Sequence, residues 1–244
     1  MATTLTGPTM VVSADLLTNS SVNPGQSIGS YVETANGRGF RFCKNGAVAT
    51  VAGKVYQGPA LDATNHQPSG GLTPAAAAIG DTTITISTST TQVLNELAGG
   101  VLSVVVTPGQ GYTYAIRGNT AVSGAAGAVI TLDDPLQVAL TTSSRVIAVK
   151  SKYNGVVIEP GTPTAAIAGV PNSIITAAYF GWLQTRGPCA VLFTGTGAAG
   201  KAVGSLSGGT SGSMAPCIAA TNIGGYHMAT GITAEYSIID LNIG

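Results

Sequence analysis

Residues 28–57 read "IGSYVETANGRGFRFCKNGAVATVAGKVYQ", and this stretch decides the fold class. Two short strand-like runs flank Ala35-Asn36-Gly37-Arg38. Asn-Gly at the tip supplies two residues that tolerate positive φ, the mark of a two-residue hairpin turn. With such a turn Tyr31, Glu33, Phe40 and Phe42 share one face, and Val32, Thr34, Arg41 and Cys43 the other. A second Asn-Gly, Asn45-Gly46, predicts a turn into a third strand over "AVATVAGKVY", residues 47–56.

The same signals continue along the chain. "DTTITIS" (81–87) alternates strictly, and "GGVLSVVVTPGQGYTYAIRGNTA" (99–121) gives two strands around Pro108-Gly109. "AVITLDDPLQVAL" (128–140) gives another, broken at Asp133-Asp134-Pro135. "RVIAVK", "GVVI", "IITAAYFGWLQT", "CAVLF", "SMAPCIAA", "GGYHMA" and "AEYSIIDL" follow from Arg145 onward. "TTQVLNELAGG" (90–100) has room for a helical turn or two, and no long amphipathic helix is present. β-branched residues punctuated by Gly and Asn read as short strands and tight turns. The expected fold is therefore all-β: a β-sandwich or barrel-type body with an inserted small β domain and an extended N-terminal arm. The expected boundaries are 1–27 for the arm, 28–78 and 144–244 for the main β domain, and 79–143 for the inserted β domain. Trp182 is expected in the core and Arg186 at a turn after its strand.

Composition narrows the function. Only 8% of residues are charged and the formal net charge is zero, against about 25% charged in ordinary domains. A surface so poor in charge keeps copies apart weakly and suits a protein covered by neighbours. There is no basic excess, so nucleic acid is not an expected partner. The first residues lack the positive start and apolar core of a signal peptide. No apolar run reaches 18 residues, so no membrane span is expected.

Several residue groups bear on chemistry. Gly195-Thr196-Gly197-Ala198-Ala199-Gly200-Lys201 resembles a nucleotide loop, but Ala202 stands where a phosphate loop needs a hydroxyl. Gly204, Gly208, Gly209 and Gly212 follow, each costing a helix about 1 kcal/mol, so the expectation is a glycine-rich loop between strands. Cys43, Cys189 and Cys217 have no metal spacing and read as small buried hydrophobes. The rival reading pairs Cys217 or Cys189 with His227 as a nucleophile. His66 lies in the connector 57–78 and is expected in solvent. Asp133 and Asp134, adjacent on the chain, point to opposite faces and cannot share a proton. Neither GxSxG nor HExxH occurs, and no carboxylate pair stands out for glycoside chemistry. No catalytic, cofactor-binding or metal residue is assigned, no cofactor or small-molecule substrate is expected, and the chain is not expected to be an enzyme.

The stretch 28–57, together with "NELAGGVLSVVVTPGQGYTYAIRGN", "LDDPLQVAL" and "AGVP…YFGWLQTRGPCAVL", resembles blocks of tailed-bacteriophage capsid decoration (cement) proteins. The likeness spans most of residues 28–242, and its motifs are structural. It implies a β-rich virion protein, often a homotrimer, assembled in the bacterial host cytoplasm. Such a protein binds the major capsid protein on the capsid exterior and locks capsomers together. The alternative is a host-adhesion or carbohydrate-binding β module of a head fibre or tail, with Tyr112, Tyr114, Tyr153 and Tyr226 as a stacking platform.

Overall fold

The computed structural model describes residues 10–11, 17–64, 66–88, 91–123, 127–205, 209–217 and 222–243. They form an all-β molecule of sixteen strands. In chain order these are β1 (Met10–Val11), β2 (Tyr31–Glu33), β3 (Gly39–Asn45), β4 (Tyr56–Gln57), β5 (Thr83–Ser87) and β6 (Val101–Val106). Then come β7 (Thr113–Asn119), β8 (Gly127–Leu132), β9 (Arg145–Val149), β10 (Asn154–Ile158) and β11 (Ile167–Pro171). The last are β12 (Phe180–Leu192), β13 (Ala202–Ser205), β14 (Ala215–Pro216), β15 (Asn222–His227) and β16 (Tyr236–Asn242). The chain divides into two compact units, one of residues 1–58 and 155–244, the other of 59–154.

The first unit is built on an eleven-stranded sheet in the order β1-β2-β3-β10-β4-β11-β12-β16-β15-β13-β14. A further pairing joins β3 to β12, so β3, β10, β4, β11 and β12 close into a five-stranded barrel with the remaining strands as extensions. The thirteen-residue β12 is its backbone: it pairs with β3 up to Arg186 and with β16 from Arg186 to Leu192. Arg186 therefore lies inside a continuous strand and not at the expected turn. Its register slips there by one residue, and the buried Gln184 side chain holds the slip. Gln184 Nε2 donates to the carbonyls of Arg186, Gly187 and Pro188 at 2.9–3.1 Å. Val55, Val170, Val191, Phe193, Met214 and Ile239 are among the side chains filling the core beneath β12 and β16. Each such fully buried aliphatic or aromatic side chain contributes about 1.5–3 kcal/mol.

The opening hairpin forms with different faces from those expected. Thr34 N–H donates to Arg38 O, and Gly37 N–H to Thr34 O, with Gly37 at φ +79°. The tip thus holds three residues, ending on a left-handed glycine. One extra residue shifts the register, and a shift of one turns every side chain over. Val32 lies opposite Phe40, and Tyr31 opposite Arg41. Val32, Phe40 and Phe42 share the buried face with Trp182, while the Arg41 guanidinium sits 5.0 Å over the Tyr31 ring. The third strand expected over residues 47–56 is absent apart from its end, β4. Asn45 stays in β3, and its amide donates to the carbonyls of Val48, Ile175 and Thr176.

The N-terminal segment is also not a free arm where it is described. β1 pairs in parallel with β2, Met10 opposite Val32. Leu17 is buried, 5% exposed, in the cluster of Val32, Phe40, Phe42 and Trp182. Ser21 and Phe180 exchange backbone hydrogen bonds at 3.0 and 2.7 Å. Residues 1–9 and 12–16 of the expected arm lie outside the described residues.

The second unit is an antiparallel sheet in the order β5-β8-β7-β6-β9. Residues 72–77 join its two edges. Leu72 and Val146 of β9 exchange hydrogen bonds at 2.7 and 2.9 Å, while Ala75 and Ser87 donate to Thr85 and Thr73. Alternate residues point inward: Ile84 and Ile86, Leu102 and Val104, Tyr114 and Ile116 are all buried. This unit is wider than the expected 79–143. β9, expected in the main domain, pairs with β6 from Val101↔Val149 onward. The connector before residue 79 supplies the closing segment, because an unclosed edge would leave backbone groups unpaired. Residues 94–99 form turns and no helix, with Asn95 at φ +58°, and Gln92 before them bridges Val122. Asn119 holds them: its Oδ1 accepts from Leu97 N–H, and its amide donates to Val93 O and Thr120 O.

Candidate functional site

Where β3 begins and β12 runs on past it, a cleft of about 330 Å³ opens in the first unit. Pro188, Cys189 and Ala190 of β12 form one wall, Ala52 and Gly53 another, and Arg38, Asn172, Gln184 and Tyr236 complete it. Its polar framework is bonded in a chain. Asn172 Nδ2 donates to Gln184 Oε1 at 2.8 Å, and Cys189 Sγ donates to Asn172 Oδ1 at 3.4 Å. Burial pushes the Cys189 thiol up to about 12, against a smaller downward pull from the Arg38 guanidinium. A thiol held so high is a poor nucleophile at neutral pH. Tyr236, 53% exposed, packs its ring over Gly53. A Cβ on Gly53 would lie 2.5 Å from the Tyr236 Cε1, and the residue sits at φ +75°, so only glycine admits this contact.

Beside the cleft, β12, β16 and β15 present an outward face. Pro188 and Ala190 stand opposite Asp240 and Ile238. Tyr226 stands opposite Asp240, and Met228 N–H donates to Ile238 O. Tyr226, Met228, Tyr236 and Ile238 are all about half exposed, and Asp240 is the one charge among these residues.

His227 lies on the opposite side of β15 and is buried. Its Nδ1 is 2.8 Å from Ala229 O and 3.3 Å from Ser237 Oγ, and its ring meets Phe193 edge-on at 4.3 Å. Gly197 and Gly231 exchange backbone hydrogen bonds at 3.1 and 3.2 Å beside the ring. A Cβ on Gly197 would stand 2.5 Å from Nε2. The hydrogen-bonding partners of His227 are thus a carbonyl and a serine, neither of them Cys189 or Cys217. Gly197 of the nucleotide-like loop serves the packing of a histidine, and Lys201 leads into the strand β13 where a phosphate loop places its helix.

His66, expected in solvent, is 1% exposed. Its Nε2 is 2.7 Å from Gln92 Oε1 and 2.9 Å from Glu96 Oε1, and Glu96 Oε1 is 3.4 Å from Lys150 Nζ. Its carbonyl accepts from Ala148 N–H, so the connector is tied into the second unit. The carboxylate thirty residues downstream gave no spacing signal because a loop, not a helix or strand, brings it to the ring. Asp133 pairs with Arg117 at 3.0 Å in solvent, and Asp134 is exposed beside it.

All three cysteines are free: Cys43 and Cys189 are buried, and Cys217 is half-buried. Burial pushes the Cys43 thiol up to about 12, with a smaller opposing effect from a backbone hydrogen bond at Gly181. The tyrosine platform does not assemble. Tyr114 is buried and its hydroxyl accepts from Gln137 N–H, and Tyr153 is buried as well. Only Tyr112 and Tyr226 are open, in different units.

Among the described residues, no group of three or more His, Cys, Asp or Glu side chains is placed to hold a metal ion. No helix among them is long and apolar enough to cross a membrane. Compared with protein-family models, curated proteins and solved structures, the chain matches none.

Proposed function

We propose that this chain is a structural virion protein. It assembles as a homo-oligomer, a trimer in our reading, and decorates a bacteriophage capsid by binding the major capsid protein between capsomers. The observation that carries the reading is the outer face of β12, β16 and β15. A contiguous exposed apolar patch marks an interaction surface on a water-soluble chain. Here it consists of Tyr226, Met228, Ile238 and their neighbours, on a chain with only ten acidic and ten basic residues in 244. Adhesion through pairing of sheet faces depends on apolar area and shape, and little on ion pairs. The likeness in sequence to decoration proteins adds the kind of partner.

The test is light scattering of the purified chain across a salt series, followed by co-sedimentation with emptied capsids of the bacteriophage that encodes it. The expected mass is near three chains, nearly independent of salt, because apolar contacts are barely screened. Ile238→Asp places a second charge beside Asp240 and is expected to yield monomers that no longer sediment with capsids. A monomer at every concentration, without capsid binding, overturns the reading.

A further inference from the structure

We infer that the cleft beside β12 binds a small ring-shaped carboxylate, of the hexuronate class. The cleft shares Pro188, Ala190 and Tyr236 with the face proposed for assembly, so the inference concerns the chain with that face uncovered. Arg38 is the only charged side chain lining the cleft. It belongs to none of the salt bridges among the described residues, which join His66 and Lys150 to Glu96 and Arg117 to Asp133. Its nearest hydrogen-bonding partner is Asn36 Oδ1 at 3.5 Å, a distance too long for a strong bond. A guanidinium without an acid matches a carboxylate through two parallel N–H donors.

The rest of the wall fits the ring that would carry this carboxylate. Gln184 has both ends committed inward, so it serves as scaffold. Asn172 spends one N–H on Gln184 and one lone pair on Cys189, which leaves one donor and one acceptor for hydroxyls. Tyr236, fixed over Gly53, offers an exposed aromatic surface to the C–H side of a pyranose. The volume of about 330 Å³ gives room for a single sugar ring. No carboxylate lines the cleft to repel the ligand.

Saturation-transfer NMR of the full chain titrated with glucuronate tests this, with glucose as the uncharged counterpart. Saturable transfer is expected for glucuronate, with affinity at least tenfold weaker for glucose. Arg38→Gln is expected to weaken glucuronate binding at least tenfold with an unchanged melting temperature, and Tyr236→Ala to weaken it as well. Ile238→Asp, aimed at the assembly face, is expected to bind glucuronate like the parent, so failure of assembly and failure of binding read out separately. Equal binding of the two sugars, undiminished binding by Arg38→Gln, or no saturable transfer at tens of millimolar ligand overturns the inference.

Discussion

Truncating Leu17 to alanine probes whether the N-terminal segment is part of the core. The side chain is 5% exposed and meets Val32, Phe40, Phe42 and Trp182, with the Phe42 and Trp182 rings edge-on at 5.0 Å. Aromatic walls held by two strands collapse poorly onto a vacated site, so both the transfer and the cavity contributions are felt. Leu→Ala at such a position costs about 3 kcal/mol within a range of roughly 2–5. For a chain of this size that corresponds to a fall in Tm of about 6–12 °C. Trp182 is the only tryptophan, so its emission during a thermal or urea ramp reports this cluster and not the second unit. Val48→Ala, in the same unit but 78% exposed, serves as control and is expected to stay within about 0.5 kcal/mol. A Leu17→Ala loss no larger than the control's would show that the segment is a dispensable arm after all.

Other perturbations probe contacts elsewhere in the molecule. Gly231→Ala drives a methyl into the His227 ring and Phe193 and is expected to destabilise the first unit by about 1–3 kcal/mol, read by urea denaturation. Asn119→Ala leaves Leu97 N–H and two carbonyls without their partner; about 2–4 kcal/mol is expected, with hydrogen exchange of residues 93–99 accelerated. Cys43 and Cys189 have folded pKa values raised from about 9 to about 12. Their contribution is therefore fully present below pH 9 and is lost as pH climbs toward 12, at up to about 1.4 kcal/mol per pH unit for each thiol. Cys43→Ala is expected to flatten the decline of the urea midpoint between pH 9 and 12; an identical decline refutes the assignment.

How much of this was legible in the sequence varied with the distance over which the structure is made. Strict alternation in "DTTITIS" gave β5 its buried Ile84 and Ile86, because strand period is a property of neighbours. The burial of Cys43 and Cys189 was legible from the apolar runs around them, whereas Cys217, expected to be buried too, is half-buried. The Asn36-Gly37 turn announced a hairpin but not its length, and that single residue decided which side of β2 and β3 faced Trp182. Boundaries failed where closure was needed: nothing local in "LTPAA" says that it bridges β5 and β9. The cleft was out of reach for a similar reason. Arg38, Asn172, Gln184 and Tyr236 come from four separate stretches, and only the pairing of β12 with both β3 and β16 collects them. A glutamine inside the apolar run "FGWLQT" was the one available signal, since a buried amide must find partners.

The insertion point has a consequence for the order in which the molecule forms on the ribosome. β4 and β10 are antiparallel neighbours, Gln57 opposite Val157, although about 100 residues separate them. Among the described residues, the strands β5 to β9 of the unit between them pair only with one another, and all of them emerge before β10, so the unit can fold as a domain first. Once folded, it fixes His66 O to Ala148 N–H, so the loop left between Gln57 and Val157 shrinks to about 18 effective residues. Closing the shorter loop costs about 1.5 kcal/mol less by the logarithmic law, more than a tenfold gain in the chance that β4 finds β10. The inserted unit thus acts as a covalent clamp that keeps β4 and β10 within reach of each other. Destabilising it is expected to delay barrel closure, even where the finished first unit keeps every one of its own contacts.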